Sequence, residues 1–415
     1  MSMDTSAAQR GKGFNLGVAT AVFTLTFWAW NLIGPLSTTY GESLDLSDTQ
    51  KSVLVAIPVL VGSLGRIPVG AMTDRIGGRR MLAVICFISV VPVIGVAYSD
   101  SYAMLLFWGF LLGVAGTSFA VGIPFVNSWY PPEKRGFATG LFGAGMGGTA
   151  LSAFFTPRLV EGIGRAETHW IMVAALIAMG LFTLFAARNS PGWSPSTESV
   201  WPRMRVVMTM RITWIGCLLY GLAFGGFVAF STYLPTLLQN VYEFSQTGAG
   251  MRTAGFSLAA VVARPIGGIL ADKIGPERVL AISFGMAAVL AVVLVFQPPA
   301  EFAAGTTYVL IAFGLGLGTG GVFAMIGQRV DPAKVGTITG LVGAAGGLGG
   351  FFPPLVLGAD FEATGSYDLG FLALAVCCVV AFVYVAFVAP KARAKAEAAK
   401  LRPPVIDLSR RRDIF

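Results

Sequence analysis

Apolar residues run in twelve blocks of membrane-spanning length, broken by short polar stretches that carry most of the charges. The blocks cover residues 14–36, 52–72, 80–98, 103–126, 136–158, 169–187, 211–238, 247–271, 278–297, 304–327, 335–358 and 367–389. Each approaches the roughly 20 residues that an α-helix needs to cross the hydrocarbon core. The pattern predicts an all-α polytopic membrane protein with twelve transmembrane helices. The widest break, 189–210, is polar and holds Pro191, Pro195 and Pro202. It divides the chain into an N-terminal six-helix bundle (1–188), a cytoplasmic linker (189–210), a C-terminal six-helix bundle (211–390) and a basic cytoplasmic tail (391–415).

The two halves repeat one another. Gly65, Arg66, Ile67, Pro68, Asp74, Arg75 and Gly77 return as Ala263, Arg264, Pro265, Ile266, Asp272, Lys273 and Gly275, an offset of 198 positions. A second pair stands 200 positions apart: the glycine-rich stretch with Gly140, Gly143, Gly145 and Gly147, and its copy with Gly340, Gly343, Gly346 and Gly347. An even number of spans separates the copies, so they run parallel. In a soluble helix this much glycine would be destabilising; in a membrane it permits close backbone contact.

Composition agrees with the pattern, since 55% of the 415 residues are hydrophobic and 12% are charged. That charged share is about half the roughly 25% of ordinary soluble domains. The formal charge of +8 would suit a nucleic-acid binder, but its distribution says otherwise. With Arg66 and Arg264 set aside, the loops after even-numbered spans and the two termini carry 23 Lys and Arg, against 4 on the other side, namely Lys51, Arg158, Arg165 and Arg252. The positive-inside rule then places both termini in the cytoplasm. The polar start, 1–13, is followed by no small-residue cleavage site, so the first span is expected to stay.

Candidate chemistry is sparse. Cys86, Cys217, Cys377 and Cys378 lack metal-ligand or redox spacing and read as small core residues. His169, the lone histidine, reads as a loop residue. No nucleophile–base pair, phosphate loop or metal-ligand cluster stands out, so neither an enzyme nor a cofactor or metal is expected. The outside carboxylates Glu42, Asp45 and Asp48 read as solvated. At the cytoplasmic edge, Asp74 is placed to pair with the arginines of its own loop, and Asp74, Arg75, Asp272 and Lys273 form a candidate gating loop in each half.

What remains is Arg66 and Arg264. Each lies eight residues before its loop acid, which is about 12 Å along a helix. One cation this deep costs roughly 2.5–3.5 kcal/mol on insertion scales. Snorkelling would carry such a charge to the interface, but the repeat installs it twice, and no carboxylate is evident in the middle of a span. Two planar, permanently charged guanidiniums suit a small oxyanion with delocalised charge.

The motif ending the second span resembles the loop between helices two and three of the major facilitator superfamily; Gly78 departs from the basic residue often found there. The resemblance sharpens to the nitrate/nitrite porter family, carried by the stretches around Arg66 and Arg264, by Phe119 leading to Trp129, Tyr130, Pro131, Pro132, Glu133, Lys134 and Arg135, and by the two glycine-rich spans. It implies a central anion site held by Arg66 and Arg264, with Phe119, Tyr220 and Phe224 stacked about the anion, and glycine-rich transport helices bearing Gly143, Gly145, Gly147, Gly343, Gly346 and Gly347. It also implies alternating access in a prokaryotic inner membrane, by a carrier functional as a monomer. Met146 stands where that family often has asparagine, and methionine supplies no amide donor.

The expected cargo is nitrate and nitrite. Exchange of one for the other and proton-coupled nitrate symport both stand open. A monocarboxylate carrier would use the same arginines; an anion channel or a sensor fits the tandem repeat and short tail less well. Nucleic acid is excluded as a partner. The lipid bilayer is a partner of the whole surface.

Overall fold

The structure, a computed structural model, describes residues 5–195, 200–330 and 332–391. The tail beyond Lys391 lies outside the described residues. Twelve helical spans are present in chain order: α1 Gly11–Leu44, α2 Asp48–Ile76, α3 Gly78–Ala97 and α4 Tyr102–Trp129; α5, running through Pro132–Gly143, Ala144–Gly147 and Gly148–Ile163; then α6 Arg165–Ala186, α7 Arg211–Tyr242, α8 Gln246–Ile274, α9 Pro276–Val295, α10 Phe302–Arg329, α11 Thr337–Thr364 and α12 Asp368–Lys391. Eleven are apolar enough to be recognised as spans by length and hydropathy. The twelfth is α5, where glycine replaces larger apolar side chains. A short helix, Val200–Met208, lies in the linker.

Local chemistry sets the ends. Ser47 opens α2 with a capping box: its hydroxyl accepts from Gln50 N while the Gln50 side chain accepts from Ser47 N. Ser101 and Ser245 cap α4 and α8. The repeated motif closes both α2 and α8 on a glycine, Gly77 at φ +93° and Gly275 at φ +92°. That region is open to glycine at little cost and to few other residues, which is why the tandem motif ends on glycine in both copies.

The outer surface is apolar, with Phe185, Leu218 and Phe302 largely exposed, as bilayer contact requires. Inside, helices approach through glycine. In the N-terminal half Gly113 and Gly116 of α4 lie against Pro58 and Gly62 of α2; in the C-terminal half Gly316 and Gly320 of α10 lie against the backbone of Ala260 and Arg264 on α8. Small residues at such spacing let helices pack without intervening side chains. Both arginine-bearing helices are thereby held against a glycine stripe.

The two halves are fastened at the end away from the basic loops. Ser37 bonds Thr236, Thr38 Oγ1 donates to Gln239 Oε1 at 2.8 Å, and Gln246 Nε2 donates to Pro35 O at 3.0 Å and to Thr39 Oγ1 at 2.6 Å. Glu362 on α11 completes the seal: one carboxylate oxygen accepts from Ser47 Oγ at 2.9 Å and from Thr49 N at 2.8 Å. An acid from one half therefore caps a helix N-terminus of the other, where a negative charge is favoured.

Several expectations are corrected here. Asp48 is not simply solvated: it pairs with Lys51 at 2.6 Å and accepts from Asn240 Nδ2 at 3.3 Å. His169 is not in a loop but within α6, buried, with Nδ1 2.7 Å from Arg165 O one turn earlier. Cys377 is exposed, whereas the other three cysteines are buried; it and Cys378 are neighbours midway along α12, about 100° apart around the helix. Asp360, just beyond the predicted eleventh span, is a buried acid inside α11, satisfied by Thr364 Oγ1 and by Gly370 N at 3.0 Å.

Replacing Glu362 with alanine should shift the population toward forms open at this end. Spin labels at the start of α2 and the end of α11 should report longer distances; an unchanged distribution would mean that the remaining cross-half bonds carry the seal alone.

Candidate anion site

Arg66 and Arg264 lie at the centre of the bundle, 2% and 3% exposed. Each reaches across to the glycine-rich helix of the opposite half. Arg66 Nη1 donates to Gly343 O on α11 at 2.5 Å, with Nε 3.4 Å from Gly116 O. Arg264 Nη1 lies 3.4 Å from Met146 Sδ on α5, and its guanidinium packs over Gly143, where an added Cβ would meet Nε at 3.0 Å. Gly143 and Gly343 are the copies 200 positions apart, so the tandem repeat becomes a crossed pair of contacts related by pseudo-twofold symmetry.

One aromatic ring joins the arginines. The Phe119 centroid is 5.0 Å from Arg66 Cζ and 5.6 Å from Arg264 Cζ. Phe224 lies 5.5 Å from Arg66 Cζ, and Phe323 lies 5.6 Å from Arg264 Cζ. These separations fit cation–π attraction, stronger in a desolvated site. Phe119 stacks on Phe224 at 6.1 Å, Phe224 on Tyr220 at 5.1 Å, and Tyr220 meets Phe323 edge-on at 4.7 Å. The residues predicted for the site, Arg66, Arg264, Phe119, Tyr220 and Phe224, thus form one connected cluster.

Two polar groups in it lack partners. Arg66 Nη2 and the Tyr220 hydroxyl are buried without a hydrogen bond; the hydroxyl lies toward both guanidiniums but makes no bond of proper geometry. Buried polar groups of this kind are costly unless something satisfies them. Both can donate, so one acceptor placed between them would satisfy the two together.

The glycines fall into distinct places. Gly343 and Gly346 abut the cluster: a methyl on Gly343 would lie 3.2 Å from the Phe119 ring, and one on Gly346 would overlap Tyr220. Gly347 faces Ser63 on α2, Gly145 faces Phe23, and Gly147 sits in ordinary contact with Val261. The loop residues lie elsewhere, at the basic end. The cationic neighbour of Asp74 is Arg203 in the linker helix, not an arginine of its own loop as the motif suggested. Arg75 borders a separate basic cavity, Asp272 accepts from Gln328 Nε2 at 3.1 Å, and Lys273 stands in the last turn of α8.

Phe323 escaped the sequence reading, as did the direct contact between Met146 and Arg264. The Gly-Thr pairs Gly116–Thr117 and Gly318–Thr319 do not mark Phe323, since Phe119 follows its glycine by three residues and Phe323 by five. The Met146 contact left no local signal.

Two parallel six-helix halves around a buried central site form the layout of a membrane carrier. A family model described as Major Facilitator Superfamily matches residues 19–354 and 244–413. Among solved structures, the chain superposes with a TM-score of 0.70 on a bacterial homologue of the human lysosomal transporter Spinster, at 18% identity over 91% of this chain and 97% of that one. The human organic anion transporter MFSD10 also gives 0.70, at 15% identity over 90% and 99%. The chain is 50% identical over 381 residues to a Mycobacterium tuberculosis protein named probable nitrate/nitrite transporter NarK2, covering 91% of this chain and 96% of that one. It is 36% identical over 362 residues to the nitrite extrusion protein of Bacillus subtilis, covering 86% and 90%. A Thermus thermophilus protein named probable nitrate/nitrite antiporter NarK1 is 31% identical over 401 residues, covering 89% and 90%. The chain belongs to the nitrate/nitrite porter family of the Major Facilitator Superfamily.

The packing at Gly346 is testable. Gly346→Ala should lower stability by about 1–3 kcal/mol, the usual cost of overfilling a packed core, read as an earlier thermal unfolding midpoint in detergent. An unchanged midpoint would show that Tyr220 gives way without strain.

Proposed function

We propose that this protein carries nitrate and nitrite across a prokaryotic inner membrane by alternating access, exchanging one anion for the other. The observation that carries the reading is the pair of buried guanidiniums sharing the Phe119 ring, with donors on Arg66 and Tyr220 left unpartnered. Nitrate and nitrite are small planar oxyanions. Guanidinium edges can bond their oxygens in plane, and aromatic rings can cover their faces.

In this reading the basic loops lie in the cytoplasm, with both termini, and the seal formed by Glu362, Gln246 and their partners closes the outer side. An anion entering from the cytoplasmic side competes with Gly343 O for Arg66 and with Met146 Sδ for Arg264. A thioether is a weak acceptor, so Arg264 gives up little on taking the anion. Carbonyl and thioether carry no net charge. The empty site therefore holds two positive charges in a low dielectric, and a bound monoanion offsets part of that cost.

The barrier to reorientation falls only when the site is loaded, and that is the condition for exchange. Among the described residues, the side chains around the arginines are aromatic rings, a thioether and the Tyr220 hydroxyl, none of which serves as an ordinary proton carrier near neutral pH. This favours anion exchange over proton symport. The glycine-rich segments of α5 and α11, where Gly143 and Gly343 meet the arginines directly, are the surfaces that slide as the halves rock. The loops with Asp74, Arg75, Asp272 and Lys273 form the cytoplasmic gate, and one monomer contains the whole path.

Arg66→Lys and Arg264→Lys should each weaken nitrate binding about tenfold or more, since an ammonium lacks the planar fork. Tyr220→Phe should have a smaller effect. Titration calorimetry on the purified variants measures both, and wild-type affinity in either lysine variant would remove that arginine from the site.

Transport itself is tested with labelled nitrate and proteoliposomes. Uptake that requires nitrite inside is the expected result. Uptake driven by an inward proton gradient into vesicles without internal anion would replace exchange with symport.

A further inference from the structure

The basic end holds a second cationic site, away from the buried pair Arg66 and Arg264. A cavity of about 360 Å³ opens between the turn that joins α2 to α3 and the segment following α6. Arg75, Arg79, Arg80 and Arg188 line it, with Asn189 and Trp193. No carboxylate lines it among the described residues, and the loop acid, Asp74, has its cationic neighbour in Arg203 of the linker helix instead.

The cavity is built rather than incidental. Asn189 Oδ1 accepts from Arg79 N at 3.0 Å, so the side chain caps the first turn of α3 and fixes the segment after α6 against the turn. The positive φ of Gly77 makes room for it, because a Cβ there would collide with the Asn189 amide. Arg188 is anchored in turn, its N–H donating to Asn15 Oδ1 at 2.8 Å, and Ser190 Oγ donates to Ser128 O at 2.7 Å. Four guanidiniums are thereby gathered at the positive end of α3, where the helix dipole adds to their field. Arg75, Arg80 and Arg188 are exposed, and an anion between such clustered like charges relieves their repulsion.

We propose that this cavity binds a phosphate-bearing anion at the membrane edge. Phosphate offers several oxygens to forked guanidinium donors, and its charge matches a site where one carboxylate would leave most of the arginines uncompensated. The volume suits a single headgroup, with Trp193, Ile76 and Pro195 supplying an apolar wall. The phosphate of an anionic lipid and free inorganic phosphate share this chemistry. The site lies between helices on the side where basic pockets meet anionic headgroups.

The test uses the full-length protein in neutral detergent, with phosphatidylglycerol, phosphatidylcholine and inorganic phosphate as probes. Native mass spectrometry should show phosphatidylglycerol retained over phosphatidylcholine, and the double variant R80Q/R188Q should bind it about 30-fold more weakly, roughly fivefold per arginine removed. Nitrate titration on the same preparation confirms that the variant is folded. If inorganic phosphate displaces the lipid and raises the thermal midpoint by itself, the ligand is soluble phosphate; if only phosphatidylglycerol binds, it is a lipid headgroup. Equal retention of the two lipids with no phosphate effect, or a double variant that binds as the wild type does, would overturn the proposal.

Discussion

Two permanent positive charges buried in the middle of a membrane protein constrain everything around them. Arg66 and Arg264 meet that constraint in the same way: each extends from its own half to the glycine-rich helix of the other. Backbone carbonyl, thioether and ring faces soften the burial without neutralising it. The arginines are consequently the contact that joins the halves, and in the proposed mechanism they are also the charge that selects the anion. Any change in their occupancy acts directly on the interface that must move.

The glycine patterns follow from this. Each arginine stands on a helix packed close to a neighbour in the same half and reaches a glycine-rich helix of the other, where a side chain at Gly143 would press on the Arg264 guanidinium. Glycine on α4 and α10 meets the first need, and glycine on α5 and α11 the second. The asymmetry lies in the partners. Arg66 bonds a carbonyl oxygen, whereas Arg264 rests on a sulfur, so pseudo-symmetric positions differ in how readily they release their donors.

Away from the centre, the halves are tied by neutral side-chain bonds and by one acid that caps a helix across the interface. Each is modest against water, and together they form a seal that can be broken bond by bond. The basic end is organised differently, with the loop after α2 turned toward the linker and its arginines gathered around a cavity. One end is held by bonds between the halves; the other gathers Arg75, Arg79, Arg80 and Arg188 around a cavity.

Much was legible in the residues alone. Span positions follow from apolar runs that only a bilayer accommodates, and the division into halves follows from copies 198 and 200 positions apart. The cost of a buried cation marks Arg66 and Arg264 without reference to any partner, because burial within an apolar run is a local property. The glycine that closes each motif is likewise explained by the backbone angle at that one residue. Contacts across the interface are of another kind. That Arg66 meets Gly343, that Met146 lies under Arg264, that Phe323 completes the aromatic wall, that Glu362 caps α2 and that the charge of Arg203 reaches Asp74 all depend on how helices far apart in the chain are rotated against each other. Those rotations are set by packing summed over both halves, so the charges and the glycine patterns could be read from the sequence, while their partners were decided only by the tertiary structure.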